Sequence, residues 1–79
     1  MPSRSDFTAL QRVMDSYGLT SREQDVAGWL AEGKTNPEIA SILRISVRTA
    51  EKHVENILVK LAVENRTTAA VLITRAVEA

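Results

Sequence analysis

The sequence predicts an all-α domain, and three observations carry that prediction. Aromatic residues make up only 4% of the 79 residues, there are three glycines, and β-branched residues do not alternate with polar ones as in strands. Apolar residues instead recur at intervals of three and four, which is the spacing of one helix face. Hydroxyl and carboxylate side chains at capping positions then mark where helices begin. The length allows one domain.

For residues 1–18, the sequence predicts a polar start followed by one helix. Ser5 or Asp6 is expected to cap this helix, and Gly18 to end it. The apolar stripe has spacings of three, four and three and consists of Phe7, Leu10, Met14 and Tyr17. This segment is expected to be a linker helix or an additional N-terminal helix that packs on the domain formed by residues 19–79.

The second helix opens with a capping box, Thr20-Ser21-Arg22-Glu23, and ends at Gly33. Its apolar residues are Val26, Ala27, Trp29 and Leu30. We interpret Glu23 as a capping residue and Trp29 as a core residue rather than a platform on which a base stacks.

A second capping box, Thr35-Asn36-Pro37-Glu38, opens a short helix that ends near Arg44. The residues expected to face inward on it are Ile39, Ala40, Ile42 and Leu43. After a three-residue turn, Ser46 is expected to cap a longer helix that runs to about Leu61. The inward stripe of that helix is Val47, Ala50, Val54, Ile57 and Leu61, with Leu58 beside it.

The last helix is expected from about Thr67 toward Val77, after a break at Asn65 with a new cap at Thr67. The stripe that closes the core consists of Ala69, Leu72, Ile73 and Ala76. Further apolar surface remains outside this stripe at Ala70, Val71 and Val77, and a contiguous apolar patch usually meets a partner.

The short and long central helices have helix-turn-helix spacing, in which the second helix lies in the DNA major groove. One flank of the long helix carries hydrogen-bond donors at Thr49, His53, Asn56 and Lys60. The exposed crest carries Arg48, Glu51, Lys52, Glu55 and Val59. From these residues alone, two interpretations remain open: a DNA-reading surface, or a solvated helix face with Arg48–Glu51 and Lys52–Glu55 ion pairs.

Composition excludes several classes of protein. The chain has one histidine and no cysteine, so a disulfide framework, a zinc finger or a cysteine nucleophile is ruled out. Without clustered carboxylates beside a base or a glycine-rich phosphate loop, we expect no enzyme, no cofactor and no metal site. No apolar run approaches the ~20 residues of a membrane span, and the N-terminus lacks a signal-peptide pattern, which predicts a soluble, cytoplasmic protein.

The net charge of zero argues mildly against a nucleic-acid partner, because proteins that bind phosphates usually carry a basic excess. The charge is not uniform, however. Residues 34–60 hold five basic and three acidic side chains, whereas residues 1–33 hold three basic and five acidic ones. The predicted helix-turn-helix is therefore mildly positive, which predicts few phosphate contacts and modest non-specific affinity.

Residues 19–69, about two thirds of the chain, resemble the DNA-binding domain of LuxR-type (GerE-like) transcriptional regulators. The resemblance rests on blocks in a fixed order: Leu-Thr-Ser-Arg-Glu (19–23), Leu-Ala-Glu-Gly (30–33), Asn-Pro-Glu-Ile-Ala (36–40), Ile-Ser-Val-Arg-Thr (45–49), His-Val-Glu-Asn-Ile-Leu-Val-Lys-Leu (53–61), Val63 and Asn-Arg-Thr (65–67). It implies a four-helix bundle with the helix-turn-helix at about residues 36–55, to which the N-terminal helix is additional. By this resemblance the chain would be the output domain of a regulator. In this family, an upstream receiver or ligand-binding domain commonly controls such an output domain.

The resemblance also implies roles for individual residues. The implied base-reading residues are Glu51, Lys52 and Glu55. The implied DNA-backbone contacts are Thr35, Asn36, Ser46, Arg48, Thr49, His53, Asn56 and Lys60. Since the family pairs through its last helix, Val71, Thr74 and Arg75 would lie at a weak or DNA-dependent homodimer interface. Many members have a basic residue where Glu51 stands and a small or basic one where Glu55 stands; a carboxylate there can accept a hydrogen bond from cytosine N4.

The sequence thus predicts a sequence-specific transcriptional regulator that binds double-stranded promoter DNA as a homodimer. The competing hypothesis is a helical protein-interaction module that keeps the bundle but binds a protein, through the 67–77 helix or the 7–17 stripe. For His53 we favour a phosphate contact over packing at the bundle edge.

Overall fold

The structure is a computed structural model that describes the backbone of residues 4–78 and the side chains of residues 10–76. Within that range it contains helices and no strands. The helices are α1 (Arg4–Ser16), α2 (Ser21–Ala31), α3 (Asn36–Leu43), α4 (Val47–Leu61) and α5 (Arg66–Glu78). The predicted all-α class, with one helix in addition to the four of the bundle, is confirmed.

Both predicted capping boxes are present. The Thr20 hydroxyl accepts from the Glu23 N–H at 3.2 Å, and the Glu23 carboxylate accepts from the Thr20 N–H at 2.9 Å. Gly33 follows α2 with φ +86°, a left-handed conformation that only glycine adopts without a steric cost. The adjacent Lys34 N–H donates to the Trp29 carbonyl at 3.1 Å, which completes the turn that ends the helix.

The core lies where α2 packs against both α4 and α5, with α3 against α4 and α1 against α5. Its buried apolar residues are Met14, Leu19, Val26, Ala27, Leu30, Ile39, Ala40, Ala50, Val54, Ile57, Leu61, Ala69 and Ile73. Trp29, Leu58 and Leu72 are partly buried and pack against this cluster, as the sequence predicted. The fully buried Ile39 and Ile57 belong to α3 and α4, so the two helices of the helix-turn-helix are seated in one common core.

The turn between α3 and α4 occupies residues 44–46, as predicted. Arg44 adopts a left-handed conformation with φ 57°, and its N–H donates to the Ser41 carbonyl. The next N–H, of Ile45, donates to the Ala40 carbonyl at 3.0 Å. These bonds satisfy carbonyls at the end of α3 and redirect the chain within three residues, so α4 starts at a fixed angle to α3.

Several local predictions were wrong. Helix α1 begins at Arg4, so Ser5 and Asp6 lie inside it and do not cap it. Asn65, not Thr67, caps α5: its side-chain oxygen accepts from the Thr68 N–H at 2.9 Å. The helix therefore begins one residue earlier, at Arg66.

Two residues of the predicted inward stripes face outward. Ile42 is 43% exposed and Val47 is 41% exposed. Each lies at or next to the end of its helix beside the tight turn, where a side chain has fewer neighbours along its own helix. Tyr17 is also exposed, just beyond the end of α1, while Phe7 and Val77 lie outside the residues whose side chains are described. Within the described part of the chain, no helix has the length and apolar character needed to cross a membrane.

Candidate nucleic-acid interface

The N-terminus of α3 is fixed by its capping box. The Thr35 hydroxyl oxygen accepts from the Glu38 N–H at 3.3 Å, and the Glu38 carboxylate accepts from the Thr35 N–H at 2.9 Å. That backbone hydrogen bond from Thr35 is the main reason why the pKa of Glu38 is lowered. Because the cap uses the hydroxyl oxygen of Thr35 as an acceptor, its hydrogen is still available to an outside acceptor.

The N-terminus of α4 is built in a similar way around two hydroxyls. The Ser46 hydroxyl oxygen accepts from the Thr49 N–H at 3.0 Å and lies 2.8 Å from the Thr49 hydroxyl oxygen. Two hydroxyls that share one hydrogen bond leave one hydroxyl hydrogen for an outside acceptor. The first N–H groups of α4 and its positive dipole end lie at the same place, which suits an anionic partner.

The outward face of α4 carries charge and no core contact. Arg48, Glu51, Lys52 and Glu55 are all exposed, while His53 and Asn56 are half-buried along one flank. Lys52 and Glu55 lie 3.6 Å apart, with side chains 70% and 69% exposed, so this ion pair is readily broken by a partner. The predicted Arg48–Glu51 pair is not formed in the described part of the chain.

Lys60, predicted to contact phosphate, lies at the other end of α4 and has partners of its own. Its ammonium group donates to the Glu23 carboxylate at 2.6 Å and to the Gly18 carbonyl at 3.2 Å. Burial of Glu23 by itself would raise the pKa of that carboxyl, but hydrogen bonds from Lys60 and the Thr20 N–H, with the Lys60 charge, lower the pKa overall. The structure thus gives Lys60 a role in the fold that its sequence position did not reveal.

The role of Arg66 was not predicted from the sequence. Its guanidinium group donates from Nη1 to the Asn36 Oδ1 at 2.9 Å and from Nη2 to the Lys34 carbonyl at 2.8 Å. A signal was present in the sequence, because a cation in the first turn of a helix opposes the helix dipole and therefore needs partners elsewhere. The structure supplies those partners on the loop that leads into α3.

The predicted dimer residues occupy a separate helix, α5. Val71, Thr74 and Arg75 are all exposed, and Val71 is 43% exposed despite being apolar. The structure therefore brings Ser46 and Thr49 into contact at one surface and leaves Val71, Thr74 and Arg75 exposed on another. Among the described residues, no group of three or more histidines, aspartates or glutamates is arranged to hold a metal ion.

The chain matches the GerE family of bacterial regulatory proteins (luxR family) over residues 17–73. It is 50% identical over 68 residues to the transcriptional activator protein SolR of Ralstonia solanacearum, a match that covers 85% of this chain and 29% of that protein. It is 49% identical over 61 residues to the transcriptional regulatory protein LiaR of Bacillus subtilis, covering 77% of this chain and 29% of LiaR.

A third relative is the nitrate/nitrite response regulator protein NarP of Escherichia coli, 48% identical over 54 residues, covering 68% of this chain and 25% of NarP. The chain thus spans well under a third of the length of these relatives. The family match covers more than half of the chain and includes all of α2, α3 and α4. The helix-turn-helix, its two capped N-termini and this match lead to one conclusion: the chain belongs to the luxR (GerE) family of bacterial regulatory proteins.

Proposed function

We propose that this protein regulates transcription by binding promoter DNA in a sequence-specific manner, with α4 as the recognition helix. The observation that carries the proposal is the division of α4 into two faces. Ala50, Val54 and Ile57 are buried in the core, whereas the opposite face is exposed and mostly polar, with Val59 as its exposed apolar residue. A helix held rigidly by one face and free on the other fits the major groove, which admits one helix.

The residues proposed to read bases are Glu51, Lys52 and Glu55. Each is exposed on the outward face of α4. In the major groove a lysine can donate to guanine O6 and N7, and a carboxylate can accept from cytosine N4. The exposed Lys52–Glu55 ion pair would then separate. Lys52 would donate to an acceptor on one base, and Glu55 would accept from a donor on another. This arrangement favours G·C pairs within the half-site.

The residues proposed to contact the DNA backbone carry hydrogen-bond donors: Thr35, Asn36, Ser46, Arg48, Thr49, His53, Asn56 and Lys60. Phosphate contacts fix the register of a protein on the duplex without reading its sequence. The capped N-termini of α3 and α4 support this role, since hydroxyl donors and helix dipoles suit phosphate. Lys60 could offer a phosphate only the one donor that Glu23 and Gly18 leave unused.

We further propose that the protein acts as a homodimer that pairs through α5, with Val71, Thr74 and Arg75 at the two-fold axis. The exposure of Val71 supports this, because Val71 is apolar and lies outside the core, although its predicted outward neighbour Ala70 is partly buried against the core. Two copies related by a two-fold axis would read half-sites about one DNA turn apart. An interface made of these few residues would be small, so we expect the dimer to be weak without DNA. A cytoplasmic location is part of the proposal, and action at promoter DNA supports it.

Selection from a random duplex library tests the proposal. The protein should enrich one motif, and its affinity for that motif should exceed its affinity for an unrelated duplex by about a thousandfold or more. The affinity should fall steeply as salt is raised from 50 to 200 mM, because phosphate contacts release counterions. A folded protein that binds no duplex at low salt would refute the proposal.

A pair of variants separates base reading from backbone contact. Lys52→Ala should reduce discrimination at one position of the enriched motif by about 1–3 kcal/mol. Arg48→Ala serves as the matched control, since it should weaken binding to all duplexes alike and lower the salt slope by about one. If Lys52→Ala weakened all duplexes equally, Lys52 would be a backbone contact and not a base-reading residue.

A further inference from the structure

We propose that Arg66 is a positioning residue for DNA binding: it orients the Asn36 side chain and the loop before α3 so that they can contact phosphate. This inference rests on the proposed function. Arg66 is half-buried at the first position of α5 and reaches across to a segment 30 residues earlier in the chain. Its two hydrogen bonds, of 2.9 Å to Asn36 and 2.8 Å to Lys34, lie on either side of Thr35.

The contact sets which end of the Asn36 carboxamide is free. A guanidinium group only donates hydrogen bonds, so the atom of Asn36 beside it is the oxygen Oδ1. The Nδ2 group, which carries two hydrogens, is then left without an acceptor among the described residues. A phosphate oxygen needs a donor, and an amide presented in the reverse orientation would offer it an acceptor instead. Arg66 therefore holds Asn36 in the orientation that suits phosphate.

The second hydrogen bond fixes the backbone next to the cap. The Lys34 carbonyl directly precedes Thr35, whose hydroxyl caps α3. Because the planar guanidinium fork holds the Lys34 carbonyl and the Asn36 side chain together, the loop has little freedom to rotate. Donors on Thr35 and Asn36 thus meet DNA already oriented, which lowers the entropy lost on binding.

The maintenance of α3 itself does not require Arg66. The reciprocal hydrogen bonds between Thr35 and Glu38 already cap that helix. A cation at the first position of α5 is also unfavourable for α5, because it opposes the positive end of the dipole. The position of Arg66 is therefore best explained by what it does to the loop and Asn36.

A double-mutant cycle in DNA affinity tests the inference with wild type, Arg66→Gln, Asn36→Ala and the double variant. The probe is the duplex enriched by the wild-type protein, and urea unfolding of each variant without DNA gives its stability. Each single variant should bind about tenfold more weakly, as expected when a charge-assisted hydrogen bond is lost. The double variant should bind more weakly than either single variant but less weakly than the two losses multiplied together, because part of the effect of Arg66 passes through Asn36 and the rest through the Lys34 carbonyl.

A conservative variant keeps the test decisive if Arg66→Gln is poorly folded. Arg66→Lys retains the charge but cannot span both acceptors, so its affinity should lie between those of the wild type and Arg66→Gln. In the absence of DNA, Arg66→Lys should shift the NMR signals of the Asn36 side-chain amide and leave that of the Ile73 backbone amide, about two turns further along α5, unchanged. An Asn36 signal identical to that of the wild type would overturn the inference.

The outcomes separate this inference from the proposed function. If the two single effects add in full in the cycle, Arg66 acts independently of Asn36 and the inference is overturned. If Arg66→Gln binds as tightly as the wild type, the inference is also overturned, although the protein remains a DNA-binding regulator. A folded wild type that enriches no duplex would remove the proposed function, and this inference with it.

Discussion

The ammonium group of Lys60, at the end of α4, lies 2.6 Å from the carboxylate of Glu23, in the first turn of α2. The Glu23 side chain is only 5% exposed, while that of Lys60 is 34% exposed. The same carboxylate caps α2 through the Thr20 N–H, and the same ammonium group holds the Gly18 carbonyl. This contact joins α4 to the start of α2, so it couples the orientation of α4, the proposed recognition helix, to the rest of the bundle.

The first prediction concerns the loss of the lysine from this pair. Lys60→Met should lower the free energy of unfolding by about 1–3 kcal/mol, because the buried Glu23 carboxylate would lose its charged partner. Urea unfolding followed by circular dichroism measures this change. The matched control is Lys52→Met, which removes an exposed pair with Glu55 and should cost about 0–1 kcal/mol. Equal losses in the two variants would mean that burial of Glu23 does not strengthen the pair.

The second prediction concerns pH. Because the folded-state pKa of Glu23 is lowered, the unfolded chain binds the proton more readily than the folded one. The stability that Glu23 contributes is therefore fully present above the ordinary glutamate pKa of about 4.3 and is lost as pH falls through and below that value. Unfolding measured between pH 7 and pH 3 should show this loss, and Glu23→Gln should flatten it. Glu38→Gln should flatten it less, because the Glu38 carboxylate is exposed.

The third prediction concerns the C-terminal end of α4. Ala62 caps α4 with φ 56°, a left-handed conformation that costs a residue with a Cβ roughly 1 kcal/mol relative to glycine. Ala62→Gly should therefore stabilise the protein by about 0.5–1 kcal/mol in urea unfolding. The control is Ala70→Gly within α5, where the same substitution should destabilise by about 1 kcal/mol. Changes of the same sign at both positions would contradict this account of the helix end.

The helices and most of the core could be predicted because they depend on local patterns. The capping boxes at Thr20 and Thr35 indicate where α2 and α3 begin, and the spacing of apolar residues in α4 indicates which face of that helix is buried. The exposure of the Ile42 and Val47 side chains could not be predicted from the periodicity of apolar residues. Periodicity gives the direction of a side chain around its helix, but not how many neighbours it has there.

The candidate site could be predicted only in part, for a similar reason. The exposed residues of α4 follow from the helical pattern, which places Glu51 and Lys52 opposite the buried stripe. The partners of Lys60 and Arg66 lie 37 and 30 residues away in sequence, so no local pattern shows them. Long cationic side chains can reach several acceptors, and only tertiary packing decides which one each of them meets.

The last prediction concerns pairing through α5. Val71→Glu should reduce self-association of the free protein and the cooperativity of binding to two half-sites, because it places a desolvated charge at the proposed two-fold axis. Analytical ultracentrifugation at high protein concentration measures the first effect, and titration of a DNA duplex with two half-sites measures the second. Binding to a duplex with a single half-site should stay unchanged, since Val71 lies outside the recognition helix.

Val59→Glu is the control for self-association, since Val59 is an even more exposed apolar residue, at 78%, but lies on α4. It places the same charge on the bundle and should leave the mass of the free protein unchanged from that of the wild type. If Val59→Glu abolished self-association while Val71→Glu did not, the two copies would pair through α4. The recognition helix would then be covered in the free dimer, and DNA would have to compete with the partner copy for it.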